Sequence, residues 1–228
     1  MAALMIIGTA HVIDLSSSLE RFIRDFNPDY IALELDKERW LGLQSEDKRL
    51  EGPLFLRALA HIQTKIGESF GNPPGSEMLV AANVAKLIGA KVTLIDRPIL
   101  PMFRSTWRNM PWNEFWNLIK DSLFSLIGSG SYDLNQNMKT GDFSVELEEL
   151  SMRFPTINSQ LIDRRDIFMS KKLVQIFRME NHARVVAVVG EGHVRGMASR
   201  LSMLRPKIVN LSDLLERKTS SISFSVEI

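Results

Sequence analysis

Cysteine is absent from the 228-residue chain. That removes disulfides, thiolate metal sites and cysteine nucleophiles together, and it suits a reducing compartment. An excess of charge of one sign is missing too. The 28 Lys and Arg face 27 Asp and Glu, for a net charge of +1, and bases alternate with acids instead of forming runs. A nucleic-acid partner is not expected, because such proteins carry a basic stripe or patch. No run of about 18 apolar residues occurs, so no membrane-spanning helix is expected. The opening residues, Met1-Ala2-Ala3-Leu4-Met5, have no basic stretch before the apolar ones, so no signal peptide is expected. Histidine is scarce, at 4 residues, which makes each position informative. The rest is ordinary: 45% hydrophobic and 24% charged residues, the balance of a globular protein. The length suits a single domain, with room for an insertion.

Short apolar runs stop at turn residues. Leu4 to Ile7 ends at Gly8. Tyr30 to Leu35 is entered through Asn27-Pro28-Asp29. Lys91 to Ile95 and Val185 to Val189 are alike, and Lys207 to Asn210 follows Pro206. Such runs read as strands buried on both faces. Helical spacing lies between them. Ser16 to Phe26 puts Leu19, Phe22, Ile23 and Phe26 on one face. Ser76 to Ile88 is apolar, with Ser76 placed to cap it and Gly89 to close it. Ile157 to Arg178 and Val194 to Leu204 complete the set. Alternating strands and helices predict an α/β fold with a mainly parallel central sheet and flanking helices.

Residues 104–155 break the alternation. Trp112, Phe115, Trp116, Ile119, Leu123 and Ile127 recur at helical spacing behind Pro111. This stretch reads as a helical insertion or lid within one domain of 1–228. Its Trp-rich face packs on the core, or serves as a homodimer contact or membrane-surface helix. The tail, Lys218 to Ile228, alternates polar and apolar residues, as an edge strand or a frayed end would.

Ligands of parallel sheets bind beyond the carboxyl ends of the strands, so the residues after each strand matter most. After the first strand comes Gly8-Thr9-Ala10-His11; at the end of the second, Glu34; after the third, Asp96-Arg97; after the fourth, Gly190-Glu191-Gly192-His193. Two of the 4 histidines thus share a Gly-x-x-His spacing at strand ends. The glycine lets the chain leave the strand where a side chain would clash. Two imidazoles and one carboxylate form a ligand set for Zn, Mn, Fe or Co, with positions left for water and substrate. One histidine with Glu34 could equally act as a metal-free acid/base pair. Glu34 could also be a buried ion pair with Arg97 or Arg39. Arg97 could grip a substrate carboxylate, or neutralise Glu77 or Asp96. His61 reads as a packing residue, and His182 as a turn residue at the far end of the sheet. The Gly-x-Gly-x-x-Gly spacing of a Rossmann site is absent.

Several of these segments together resemble the TraB/PrgY pheromone-shutdown family, in a wider group with Tiki-type proteases and the erythromycin-esterase/ChaN-like proteins. The matching residues are Gly8-Thr9-Ala10-His11-Val12, Pro28-Asp29 with Leu33-Glu34-Leu35-Asp36 and Arg39, Pro74-Gly75-Ser76-Glu77-Met78, Leu94-Ile95-Asp96-Arg97, Arg104, Arg165-Asp166 and Gly190-Glu191-Gly192-His193-Val194-x-Gly196. Pro98 and Arg164 depart from acidic residues usual in the family. The resemblance implies an active centre at His11, Glu34 and His193, with Glu77 at a family acidic position. It implies a divalent-metal-dependent hydrolase, a peptidase above all, acting on peptide signals with Mn or Co-type ions. Arg97 would join the catalytic set, and Glu77, Arg104 and Arg165 would contact substrate. The alternative is a module that binds and sequesters a peptide without cleaving it. A cytoplasmic location is expected, with membrane association if the natural chain runs on, since many relatives carry membrane spans after this domain.

Overall fold

The computed structural model describes residues 2–10, 14–44, 75–114, 116–117 and 152–223. Five strands form one sheet: β1 (Ala3–Thr9), β2 (Tyr30–Leu33), β3 (Lys91–Leu94), β4 (Arg184–Gly190) and β5 (Lys207–Val209). Their order is β3-β2-β4-β1-β5, and each neighbouring pair is parallel. The α/β expectation therefore holds. β4, formed late in the chain, lies between β1 and β2.

Both faces of the sheet are covered. On one face α1 (Ser16–Phe26), α3 (Ser76–Ile88) and α8 (Leu211–Ser223) pack Leu19, Ile23, Met78, Ala81, Leu211 and Leu214 against Met5, Ile7, Ile31 and Val186. On the other, α6 (Arg164–Met179) and α7 (Glu191–Arg200) pack Met169, Leu173, Val194 and Met197 against Leu4, Ile6, Ala32 and Ala187. Alternate residues of β1, β2 and β4 serve opposite faces, as the two-residue period of a strand requires. These strands are continuous apolar runs because neither side meets water. β3 is the exception: Lys91 and Val92 are exposed at the sheet's edge.

The helices after β1 and β2 (α1, α3) lie on the first face, and those flanking β4 (α6, α7) on the second. β4 is thus bordered on both sides by strands whose following helices lie across the sheet. That arrangement makes β4 the topological switch point, and the region beyond the carboxyl ends of such strands is the usual ligand position in open α/β sheets.

Four expectations are corrected. The cap of α3 is Gly75, in a left-handed conformation at φ 85°, and Ser76 is the first helical residue. The long helix expected over Ile157 to Arg178 is present and unbroken from Pro155 to Met179, but it is not uniform: a short α5 (Pro155–Asn158) passes through a π turn (Ser159–Asp163) into α6. The tail through Ser223 is the end of α8, because Leu211 and Leu214 bury at helical spacing; it is not an edge strand. α2 (Lys37–Gln44) was not read from the sequence, since it buries none of its residues and has no apolar stripe. Within the Trp-rich stretch, α4 (Ile99–Asn109) precedes helical residues at 112–114 and 116–117, as the spacing predicts, but Trp112 and Trp116 are 75% and 52% exposed, not packed in the core. Residues 118–151, and with them most of the expected insertion, lie outside the described residues.

Candidate active site

Glu34 follows β2 and faces α6 and α7. Its Oε2 accepts the Gly190 backbone N–H at 2.6 Å, which joins the ends of β2 and β4. Its Oε1 accepts from the Arg165 guanidinium and lies 3.3 Å from His193 Nε2. His193 stands in the first turn of α7, and its Nδ1 is 2.6 Å from Asp166 Oδ1. Glu34 is 6% exposed, His193 3% and Asp166 1%. Arg165 and Asp166, neighbours in α6, thus serve the two members of one pair.

The network widens towards β3. Asp96 accepts from Arg165 Nε at 3.2 Å and from a terminal Arg165 nitrogen at 2.7 Å. Arg39 bridges Asp96 and Asp36, the latter at 2.7 Å. Asp36 also accepts the backbone N–H groups of Glu38 and Arg39 at 2.8 and 3.0 Å, which caps α2. So the partner of Glu34 is Arg165, not Arg97 or Arg39, and Asp96 is neutralised by Arg165 and Arg39. Arg97 gives Asp96 only its backbone N–H, at 2.8 Å. Among the described residues the Arg97 guanidinium makes no ion pair.

The protonation states follow from this packing. Burial opposes the charge on Glu34, but the facing imidazolium, Arg165 and the Gly190 N–H outweigh it and hold its carboxyl well below the usual range. Burial likewise opposes the proton on His193, yet Glu34 and Asp166 raise its pKa to about 9. Burial moves the Asp166 carboxyl upward, against the pull of His193 and Arg200. Burial works against the Arg165 charge as well, and Glu34 and Asp96 drive its pKa up.

One consequence concerns cations. With Nδ1 given to Asp166, the lone pair of Nε2 would face a carboxylate oxygen 3.3 Å away. Two such atoms repel unless a positive charge lies between them. A proton answers this, and so would a divalent ion: its nitrogen and oxygen ligands stand about 3 Å apart when each lies ~2.1 Å from it. A histidine ligand whose second nitrogen is held by a carboxylate is the common arrangement around protein-bound metals. The pair therefore fits an ion, although no group of three His, Asp or Glu among the described residues is arranged to hold one. His11, the third donor put forward from the sequence, lies outside those residues, as does His61.

The glycines act by space. Gly8 has no positive φ; a Cβ there would overlap the Glu191 carboxylate and come 2.7 Å from Val194. Glu191 Oε2 in turn accepts the Leu211 N–H at 2.9 Å, tying α7 to the start of α8. At Gly190 a Cβ would meet Glu34 Oε2 at 3.5 Å, an ordinary contact.

Of the residues singled out in the sequence, the structure brings together Glu34, His193 and Arg165, the last engaged by the protein's own carboxylates. Thr9 of β1 pairs with Gly190 of β4, so the strand leading to His11 ends beside the one leading to His193. Glu77 is buried in the first turn of α3, on the opposite face of the sheet from α7, and Arg104 is exposed on α4. His182 lies in the exposed turn before β4, away from this rim. Asp96 and Asp166 belong to the site as well, and the sequence signals them only as neighbours of arginines, in Asp96-Arg97 and Arg165-Asp166.

Residues 2–209 match the family model described as TraB/PrgY/gumN family. An uncharacterized protein of Methanocaldococcus jannaschii is 35% identical over 232 aligned positions, covering 93% of this chain. The chain spans 57% of that relative's length.

Proposed function

The chain belongs to the TraB/PrgY/gumN family, and on that premise we propose that it is a hydrolase acting on peptides, with its reaction centre at Glu34 and His193. The observation that carries this reading is the row Asp166–His193–Glu34, buried at the rim of the sheet where parallel folds bind ligands. Glu34 is kept ionised, and its carboxylate can orient an attacking water by accepting one of its hydrogens. His193, its ring fixed at Nδ1, presents only Nε2 to the reacting pole. Arg165 donates to the same Glu34 oxygen that His193 Nε2 faces, and so holds the carboxylate in place. Arg97, uncommitted among the described residues, is suited to a substrate carboxylate or a developing oxyanion.

A divalent ion such as Mn, Co or Zn, when bound, would supply Lewis acidity and lower the pKa of water. His193 Nε2 and Glu34 Oε1 would hold it, with His11 as third donor. The Tiki-type resemblance favours this metal-dependent form, and supports a peptide as substrate.

The test is metal analysis by plasma mass spectrometry together with a peptide-library cleavage assay, with and without chelator. Cleavage that His193→Ala and Glu34→Gln both abolish is expected, with chelator sensitivity if an ion takes part. Peptide binding that survives chelation and yields no product would instead identify a sequestering module.

A further inference from the structure

Along α7, His193, Gly196 and Arg200 fall at i, i+3 and i+7, so they share one face. Asp166 of α6 is seated on that face. Its Oδ1 takes His193 Nδ1 at 2.6 Å, and Arg200 lies 3.9 Å from its Oδ2. Oδ2 rests directly over Gly196: a Cβ there would overlap that oxygen and approach Asp166 Cγ to 2.9 Å. Gly196 has no positive φ, so the missing side chain serves space and not backbone freedom. A π turn, a feature frequent at functional sites, runs into the Arg165-Asp166 pair.

We propose that Asp166 is the positioning residue of His193, and that Gly196 is the gap in α7 that admits it. The carboxylate accepts the Nδ1 proton and so fixes the ring plane, and it fixes the tautomer as well whenever the ring gives up its Nε2 proton, to a base or to an ion. Only Nε2 is left to face Glu34. Without the acceptor the ring could rotate or place its proton on Nε2, as happens where a carboxylate orienting a catalytic histidine is replaced by an amide. The kinetic part of this inference rests on the hydrolase reading; the structural part does not.

The experiment compares wild type, Asp166→Asn, Gly196→Ala and the double variant, with imidazole ¹⁵N labelling. The His193 signal is assigned with His193→Gln. Wild type is expected to show a far-downfield, exchange-protected Nδ1–H proton, which both single variants lose. In the peptide assay kcat per folded molecule should fall about 10- to 100-fold, with KM within about a factor of two. Because both changes remove one contact, the double variant should be no slower than the slower single one. Persistence of the protected proton in Asp166→Asn would overturn the proposal. So would a loss of activity that merely tracks the folded fraction. Should Asp166→Asn fail to fold, Gly196→Ala carries both readouts, and normal behaviour there overturns the idea equally. If wild type cleaves no peptide yet the protected proton behaves as described, the hydrolase reading fails and the socket stands.

Discussion

The two ends of the sheet each hold a charged cluster, one wet and one dry. At the amino ends of the strands, Lys91 Nζ reaches Tyr30 Oη and Glu180, each at 3.0 Å, and sits 4.9 Å above the tyrosine ring. The Lys91 and Glu180 side chains are 66% and 44% exposed. Hydrogen bonds to Tyr30 and Glu180 raise the Lys91 pKa to about 12, but water competes for every contact. At the carboxyl ends, the side chains of Asp96 and Asp166 are 1% exposed and that of His193 is 4% exposed. Those charges are removed from water at a cost recovered only if all partners remain. An exposed cluster can lose a member and be rehydrated. The buried one cannot, and a protein retains such an arrangement where the charges have work to do.

The contrast can be tested by removing members from each end. The largest effect is expected for Arg165→Met, which leaves Glu34 and Asp96 buried without their shared cation. A loss of about 3–5 kcal/mol in urea denaturation is expected, and a loss under 1 kcal/mol would erase the distinction. Next comes pH. The folded pKa of His193, about 9, lies above its ordinary value of 6.5. The stabilisation this provides is complete below pH 6.5 and is lost as pH rises through about 9. On the order of 3 kcal/mol should disappear across that window, and His193→Gln should be flat there. Gly8→Ala forces the Glu191 carboxylate and Val194 aside, for about 1–3 kcal/mol; thermal melting should report it. The smallest effect belongs to the exposed end. Lys91→Ala should leave the denaturation midpoint unchanged in moderate salt, and a large shift would show that the lower cluster is not simply solvated.

The fold was largely legible because its strands are apolar runs closed by turn residues, and that pattern needs no partner to be read. The termini Ser16–Phe26 and Ser76–Ile88 match the expected ones, since Asn27 and Gly89 end those helices in left-handed conformations. α2 left no trace, because a helix that rests only Trp40 and Leu43 partly on the core leaves no stripe. Glu34 and His193 were legible from their places at strand ends. The partners were not. Which arginine meets Glu34 depends on how α6 is rotated against the sheet, and the π turn that sets this is invisible to a 3.6-residue pattern. Asp166 needed knowledge that α6 and α7 lie side by side, and Gly196 needed the distance between them.

The place of β4 has a further consequence, for the order in which the molecule is made. Until residue 184 has been synthesised, β1 and β2 have no strand to bridge them, and each presents a bare edge of amide and carbonyl groups. β4 closes that gap and, with the first turn of α7, delivers His193 to Glu34. Bridging of β1 to β2 and assembly of the reactive pair are therefore a single event, ahead of the pairing of β5 with β1, and a nascent chain that stalls earlier has neither.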